Sequence, residues 1–461
     1  MKLTIIGAGP GGYVAAIRAA QLGANVTIIE EKEVGGTCLN LGCVPTKSFV
    51  ASTDLLSKTH RLEEYGLELH GKIVPNLSKI IERKNKIVNT QINGIRNLFK
   101  SWGITLKKGS GILISPQKIR INFPDASEET IETEKIIIAT GSRPYELPDI
   151  PFDGKKIISS NEALNLSEIP KKLIIIGAGI IGCEFACIYK ELGAEVSIVE
   201  MLPRVLSTED IDISNLFARE LKKKRINLYL NTKAEKIDLL NEYVHVILSN
   251  GKKEVAEKVL VAVGRSFNSN NIGIERIGVN IGSRGEIIVN QKMETNIENI
   301  YAVGDVIGEP MYAHVASKEG IVAAENISGL NKNIDYSAVP SAIYTHPEIA
   351  SVGIREQQTE EKGIKINIGY FEFRAIAKAH TIREIEGFVK IISEKKSDKI
   401  LGVHIIGPYA TELIHEAVLA INKGLKTKDI AETIHAHPTL SEGLMEAAQD
   451  ADHKAIHMKK Q

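Results

Sequence analysis

The chain has 461 residues, 43% hydrophobic and 25% charged, with 57 Lys plus Arg against 57 Asp plus Glu. That length exceeds one ordinary domain, and the balanced charge points to no nucleic acid and no anionic membrane as partner. Four cysteines in so long a chain make no disulfide scaffold, and no apolar run is long enough to span a bilayer, so a reducing, cytoplasmic setting is expected (the mitochondrial matrix for a processed eukaryotic chain).

Residues 2–6 are a short apolar run that reads as a buried parallel strand. The run leads straight into Gly7-Ala8-Gly9-Pro10-Gly11-Gly12, which argues against a signal peptide. A helical pattern to Gly23 follows, then Val26-Thr27-Ile28-Ile29 closing on Glu30. This is a βαβ unit with G-x-G-x-x-G at its first turn. Gly7 makes the turn, Gly9 lets the backbone reach a pyrophosphate, and Gly12 lets helix and strand pack closely. Glu30 is placed to hydrogen-bond ribose hydroxyls.

The next stretch is Gly35-Gly36-Thr37-Cys38-Leu39-Asn40-Leu41-Gly42-Cys43-Val44-Pro45-Thr46-Lys47. Zinc knuckles come as two C-x2-C pairs, and the thioredoxin-type motif has two intervening residues, so C-x4-C fits neither. A helical turn would bring the sulfurs of Cys38 and Cys43 within disulfide reach. They read as a redox-active pair, the alternative being two buried cysteines on a helix.

Residues 77–100 read as a long polar helix with Ile80, Ile81, Ile87, Ile92, Ile95 and Leu98 as its apolar positions. A β-rich stretch follows, with turns at Gly109 and Gly111 and at Pro124-Asp125, ending in Ile136-Ile137-Ile138-Ala139-Thr140-Gly141-Ser142. Pro144, Pro148 and Pro151 mark a crossover between domains.

The fingerprint then recurs. Lys172-Leu173-Ile174-Ile175-Ile176 leads to Gly177-Ala178-Gly179-Ile180-Ile181-Gly182, a helix to Gly193, and Val196-Ser197-Ile198-Val199-Glu200. Two fingerprints imply two dinucleotides, as a hydride acceptor and a hydride donor would require. Glu200 favours the free 2′-hydroxyl of NAD over a 2′-phosphate, a preference that Arg204 nearby weakens slightly. Cys183 and Cys187 fall on the helix after this fingerprint and read as buried. Val259-Leu260-Val261-Ala262-Val263-Gly264-Arg265 again closes a strand on a glycine. Asn299-Ile300-Tyr301-Ala302-Val303-Gly304-Asp305 delivers an aspartate at a strand's carboxyl end, where open α/β sheets bind ligands, unless Asp305 simply caps the next helix.

From about Tyr336 the character changes. Segments near 349–353, 366–373, 387–393 and 400–406 read as antiparallel strands, with helices near 409–423 and 441–449. Here His437 is followed by Pro438 and, five residues on, by Glu442. A carboxylate at that spacing can fix the imidazole tautomer and stabilise its cation.

In this order the pieces resemble the flavin-dependent pyridine nucleotide–disulfide oxidoreductases over the whole chain. Gly36 to Lys47 and His435 to Glu442 match, nearly letter for letter, the members that oxidise dihydrolipoyl groups. The resemblance implies an α/β fold of two Rossmann-like dinucleotide-binding domains plus a C-terminal α+β dimerisation domain. The expected parts are 1–146 and 266–335 for FAD, 147–265 for NAD, and 336–461 for the homodimer interface. It places FAD on Gly7, Gly9, Gly12, Glu30, Gly36, Thr37, Lys47, Gly111, Thr140, Gly141, Ser142, Asp305, Met311, Tyr312, Ala313 and His314. It places NAD on Gly177, Gly179, Ile180, Ile181, Gly182, Glu184, Glu200 and Gly264, with Glu184 paired to Lys47 near the nicotinamide. Cys38 would exchange with substrate, Cys43 would lie nearest the flavin, and His437 with Glu442 would act from the second subunit. No metal is implied. The implied activity is oxidation of dihydrolipoamide with NAD⁺, and the implied partner is a lipoyl-bearing acyltransferase or the glycine cleavage H protein. Reduction of another small disulfide, such as glutathione disulfide, is the alternative; a non-catalytic flavoprotein would not need the intact cysteines and histidine.

Overall fold

The computed structural model describes residues 1–459 apart from Asn241 and Glu309. The first apolar runs form β1 (Lys2–Ile6) and β2 (Asn25–Glu30), joined by α1 (Pro10–Gln21). They pair in parallel, Leu3 opposite Val26 and Ile6 opposite Ile29. Buried on both faces, these strands are near-continuous in Leu, Val and Ile, as parallel strands require. The sheet has five parallel strands in the order Ile300–Ala302, Lys135–Ile138, β1, β2, Thr105–Lys108. Its last-arriving strand, Ile300–Ala302, comes from far along the chain. Helix Ala313–Ile327 packs on α1 with almost no spacer: a Cβ on Gly320 would lie 2.3 Å from the Gly11 carbonyl oxygen.

A second five-stranded parallel sheet repeats the plan: Asn227–Tyr229, Glu195–Val199, Lys172–Ile176, Lys258–Val261, Ile157–Ile158. A third sheet is antiparallel, in the order Ser341–Ile343, Glu348–Gly353, Ile400–Gly407, Phe388–Glu394, Ile366–Glu372. Helices Ala410–Lys423 and Glu442–Asp450 cover it. One hydrophobic core runs from the second sheet to Phe49 of the first unit and to Ile343, Ile349, Phe388 and Ile406 of the third.

Three local readings are corrected. The cysteine stretch is not one helical turn but two helices, α2 (Gly36–Leu41) and α3 (Cys43–Thr59), broken at Gly42. Gly111 lies inside the strand Ser110–Ser115 rather than at a turn, paired with Ile121 and packed closely on the side chains of Ile6 and Ile29. The long helix is α4 (Leu77–Ser101), and Ile92 and Ile95 are buried in it as expected, but Leu98 is 44% exposed and Val88 and Phe99 are buried beside the expected Ile87 and Leu98. Among the described residues no helix is long and apolar enough to cross a membrane.

Candidate active site

A cleft of about 1740 Å³ lies between the two parallel sheets, lined by both glycine-rich turns, both cysteines and residues of the antiparallel unit. A drug-sized ligand fills about 300–1,000 Å³, so this space suits more than one such ligand. Gly9, Gly36, Thr37, Thr140, Gly141, Ser142, Gly264, Asp305 and Met311 to His314 are on its wall, as are Gly177, Gly179, Ile180, Ile181, Glu184 and Glu200. Gly7, Gly12, Glu30, Gly111 and Gly182 are not among the residues that line it.

The two fingerprints share one geometry. Glu30 accepts the backbone N–H of Ala8 and of Lys32, both at 2.7 Å. Glu200 accepts those of Ala178 and Leu202, at 2.7 and 2.8 Å. Each carboxylate is thus held by its own loop and keeps lone pairs for ribose hydroxyls. Burial raises the Glu30 pKa, opposed by those backbone donors. Behind each turn, a Cβ on Gly12 would lie 1.9 Å from the Gly7 carbonyl oxygen, and one on Gly182 2.0 Å from that of Gly177. The first loop touches Gly36 as well, which has φ +56° and sits where a Cβ would meet Gly9 Cα at 2.6 Å. This tight, donor-rich backbone at two helix N-termini fits two pyrophosphates, and Arg204 is not among the cleft-lining residues.

Cys38 is half-buried and Cys43 is exposed to the cleft, both as thiols. They are hydrogen-bonded to each other, and that bond raises the Cys38 pKa, with burial adding to it. Cys43 is lowered to about 7, first by the Cys38 hydrogen bond, against burial, and then by the charge of Lys47. Lys47, one turn along α3, gives both hydrogen bonds to Glu184, at 2.8 and 2.9 Å. The pair is therefore asymmetric: one sulfur holds its proton and the other readily gives it up. Cys183 is buried and donates to the Ala178 carbonyl at 3.3 Å; Cys187 is partly exposed and burial pushes its thiol up to about 11.

At the far end of the chain, His437 Nδ1 lies 2.9 Å from Glu442 Oε1. Its side chain is 70% exposed and does not line the cleft of its own chain. Burial would raise the Glu442 pKa, but the Thr439 N–H and His437 lower it, so the carboxylate is ionised. Among the described residues no cluster of three or more His, Cys, Asp or Glu is placed to hold a metal.

Arg265 and Tyr344 are among the cleft residues that sequence reasoning missed. Arg265 donates through Nε to Ser142 Oγ at 2.6 Å and lies 3.6 Å from Asp305, to which the Ser142 hydroxyl also donates. Its position directly after the strand-closing Gly264 was the available signal. Tyr344 lies over Lys47 and had no signal in the sequence.

The family described as pyridine nucleotide-disulphide oxidoreductase matches residues 1–320, and the dimerisation domain of the same family matches residues 339–448. The chain is 42% identical to dihydrolipoyl dehydrogenase 1, mitochondrial, of Arabidopsis thaliana, over 99% of this chain and 91% of that one. It is 43% identical to dihydrolipoyl dehydrogenase of Chlamydia muridarum, over 98% of this chain and 97% of that one. The crystal structure of LpdA from Mycobacterium tuberculosis is similar at TM-score 0.92 and 29% identity, covering 98% of this chain and 99% of that one.

Proposed function

The chain belongs to the pyridine nucleotide-disulphide oxidoreductases, and from that premise we propose that it oxidises protein-bound dihydrolipoamide to lipoamide and reduces NAD⁺ to NADH, the reaction of a dihydrolipoyl dehydrogenase. The observation that carries this reading is a single cleft shared by two dinucleotide turns and an asymmetric cysteine pair.

The C-terminal unit is a dimerisation domain, so the enzyme works as a homodimer. We read residues 1–146 and 266–335 as the FAD unit, because Ile300–Ala302 completes the sheet of β1. We read 147–265 as the NAD unit and 336–461 as the interface unit, whose last two residues lie outside the described ones. The cytoplasm, or the matrix of a mitochondrion, is the compartment that four cysteines without a scaffold favour.

In the forward reaction His437 of the partner subunit takes a proton from one dihydrolipoyl thiol, since the thiolate is the nucleophile. The thiolate attacks Cys38 Sγ of the oxidised pair. The Cys38–Cys43 bond breaks, a mixed disulfide forms, and Cys43 leaves as thiolate beside the Lys47 ammonium. The second substrate thiolate attacks the substrate sulfur of the mixed disulfide and releases Cys38, which recovers a proton. Lipoamide leaves and the enzyme holds the dithiol. Reoxidation of that dithiol is the chemistry that bound FAD and NAD⁺ supply. Gly9, Gly36 and Glu30 would hold the FAD, and Gly179 and Glu200 the NAD⁺. Glu200 disfavours a 2′-phosphate by like charge.

The partner that carries the lipoyl group is an acyltransferase of a 2-oxoacid dehydrogenase complex or the glycine cleavage H protein. Support comes from the relatives' printed name, dihydrolipoyl dehydrogenase. The test is anaerobic NAD⁺ reduction by dihydrolipoamide, followed as NADH absorbance, with Cys43→Ser as control. Rapid turnover that vanishes in the variant is expected. A yellow protein that instead oxidises NADPH with glutathione disulfide would overturn the assignment.

A further inference from the structure

Three parts of the chain meet at one ammonium group. Lys47 rides on α3, directly beyond the cysteine pair. Both oxygens of Glu184, from helix Ile180–Glu191 of the second unit, accept from its Nζ. The ring of Tyr344, which follows strand Ser341–Ile343 of the third unit, has its centroid 4.5 Å from the same Nζ. The backbone N–H of Tyr344 donates to Glu184 Oε1 at 2.9 Å. One residue therefore grips both members of the ion pair, the carboxylate with its amide and the ammonium with its ring.

The lysine needs such a grip. Its charge sits at the end of a flexible four-carbon stem, and its side chain is 30% exposed, whereas Glu184 is 5% exposed. An aromatic face within about 6 Å attracts a cation through the ring quadrupole, more strongly where water is excluded. The charged and titratable groups that face Cys43 are Cys38 across the break at Gly42, Lys47 on its own helix, Glu184 from the second unit and Arg265 from strand Arg265–Phe267. Tyr344 touches two of these four.

We propose that Tyr344 is a positioning residue for this reaction: it fixes the Lys47–Glu184 pair beside Cys43 and, through Lys47, sets the charge on the Cys43 sulfur. The interface unit thereby reaches the redox centre of its own chain, apart from any histidine it lends to the partner. The proposal rests on Cys43 being the redox sulfur nearest the cofactor, but not on which disulfide is the substrate.

The experiment uses the holoenzyme in a Cys38→Ser background, where Cys43 is the titrating thiol of the pair. The readout is the long-wavelength absorbance that a thiolate gives beside bound flavin, recorded against pH without substrate or turnover. Tyr344→Phe keeps the ring and leaves the titration midpoint unchanged. Tyr344→Leu removes it and raises the midpoint by about half a unit to one unit. Mono-, tri- and pentafluorinated phenylalanines at 344 keep the shape while weakening the negative ring face, and the midpoint climbs along that series. A flat fluorine series, or a Tyr344→Leu midpoint equal to that of Tyr344→Phe, overturns the proposal. The fluorinated series still decides if Tyr344→Leu does not fold. A holoenzyme that titrates as expected yet fails to reduce NAD⁺ with dihydrolipoamide leaves this proposal standing and ends the substrate assignment.

Discussion

Cys43 and His437 divide the proton chemistry between them. Cys43 has a pKa near 7 because Cys38 donates to it and Lys47 stands by. For an acid with a lowered pKa the charged form is present above that value, so the reduced enzyme carries its thiolate above about pH 7 and loses it on acidification. His437 works on the substrate instead. Glu442 holds its Nδ1, at 2.9 Å, which leaves Nε2 free to accept the thiol proton. Replacing His437 by Gln removes that base while sparing both dinucleotide turns. Dihydrolipoamide-driven NAD⁺ reduction then falls about 10²- to 10⁴-fold. Reduction of an artificial electron acceptor by NADH, which needs no thiol deprotonation, stays near the parental rate. Equal loss of both activities would show that His437 supports the fold rather than the proton transfer.

At the scale of elements, each fingerprint is a separable device. A Cβ at Gly182 would press to 2.0 Å on the Gly177 oxygen, and overpacking of this kind costs about 1–3 kcal/mol. Gly182→Ala is expected to remain yellow while the KM for NAD⁺ rises roughly ten- to a hundredfold. The matching change Gly12→Ala is expected to lose flavin instead, which absorbance of the purified protein checks. Both turns were legible in the sequence because strand, glycines, helix and acid are local, within about thirty residues. The antiparallel strands were legible by alternation. The break at Gly42 was not, since either one helix or two would bring the cysteines together. Nor was Lys390, which alternation alone would leave on a strand. It is 1% exposed and donates to Asp210 at 3.0 Å, Asp212 at 2.7 Å and Glu356 at 2.5 Å. Asp210 lies 180 residues earlier in the chain, so nothing local announces the partnership. Burial opposes the Lys390 charge, yet the carboxylates raise its pKa. Burial likewise opposes the Asp210 charge, yet His404 and Lys390 lower its pKa. The raised lysine contributes stability below about pH 10.4 and loses it as pH rises; the lowered aspartate contributes above about pH 3.9 and loses it as pH falls. Lys390→Met strands a buried carboxylate and is expected to lower unfolding free energy by about 3–5 kcal/mol in urea at pH 7. The gap between parent and variant should narrow at pH 3.

At the scale of the whole molecule, the proposed reaction takes its histidine from the second chain. His437 is 70% exposed and lines no part of its own cleft, while the chain carries a dimerisation domain over residues 339–448. Two-fold symmetry makes any contact between copies reciprocal: a residue lent to the partner is matched by one borrowed from it. The arrangement has a consequence that neither chain shows alone. A Cys43→Ser homodimer is inactive towards dihydrolipoamide, and a His437→Gln homodimer keeps at most about a hundredth of the parental rate. If they are unfolded together, refolded with FAD and allowed to reassort, half of the dimers carry one chain of each kind. In such a dimer one site combines both defects, and the other combines an intact cysteine pair with an intact histidine. About a quarter of the parental activity should return. If instead each chain used its own His437, every site in the mixture would keep one defect and no activity would return. NADH formation from dihydrolipoamide, measured before and after reassortment at equal flavin content, distinguishes the two outcomes. Only sites that became whole contribute to a return of activity, and equal flavin content of the refolded pools shows that both chains took part.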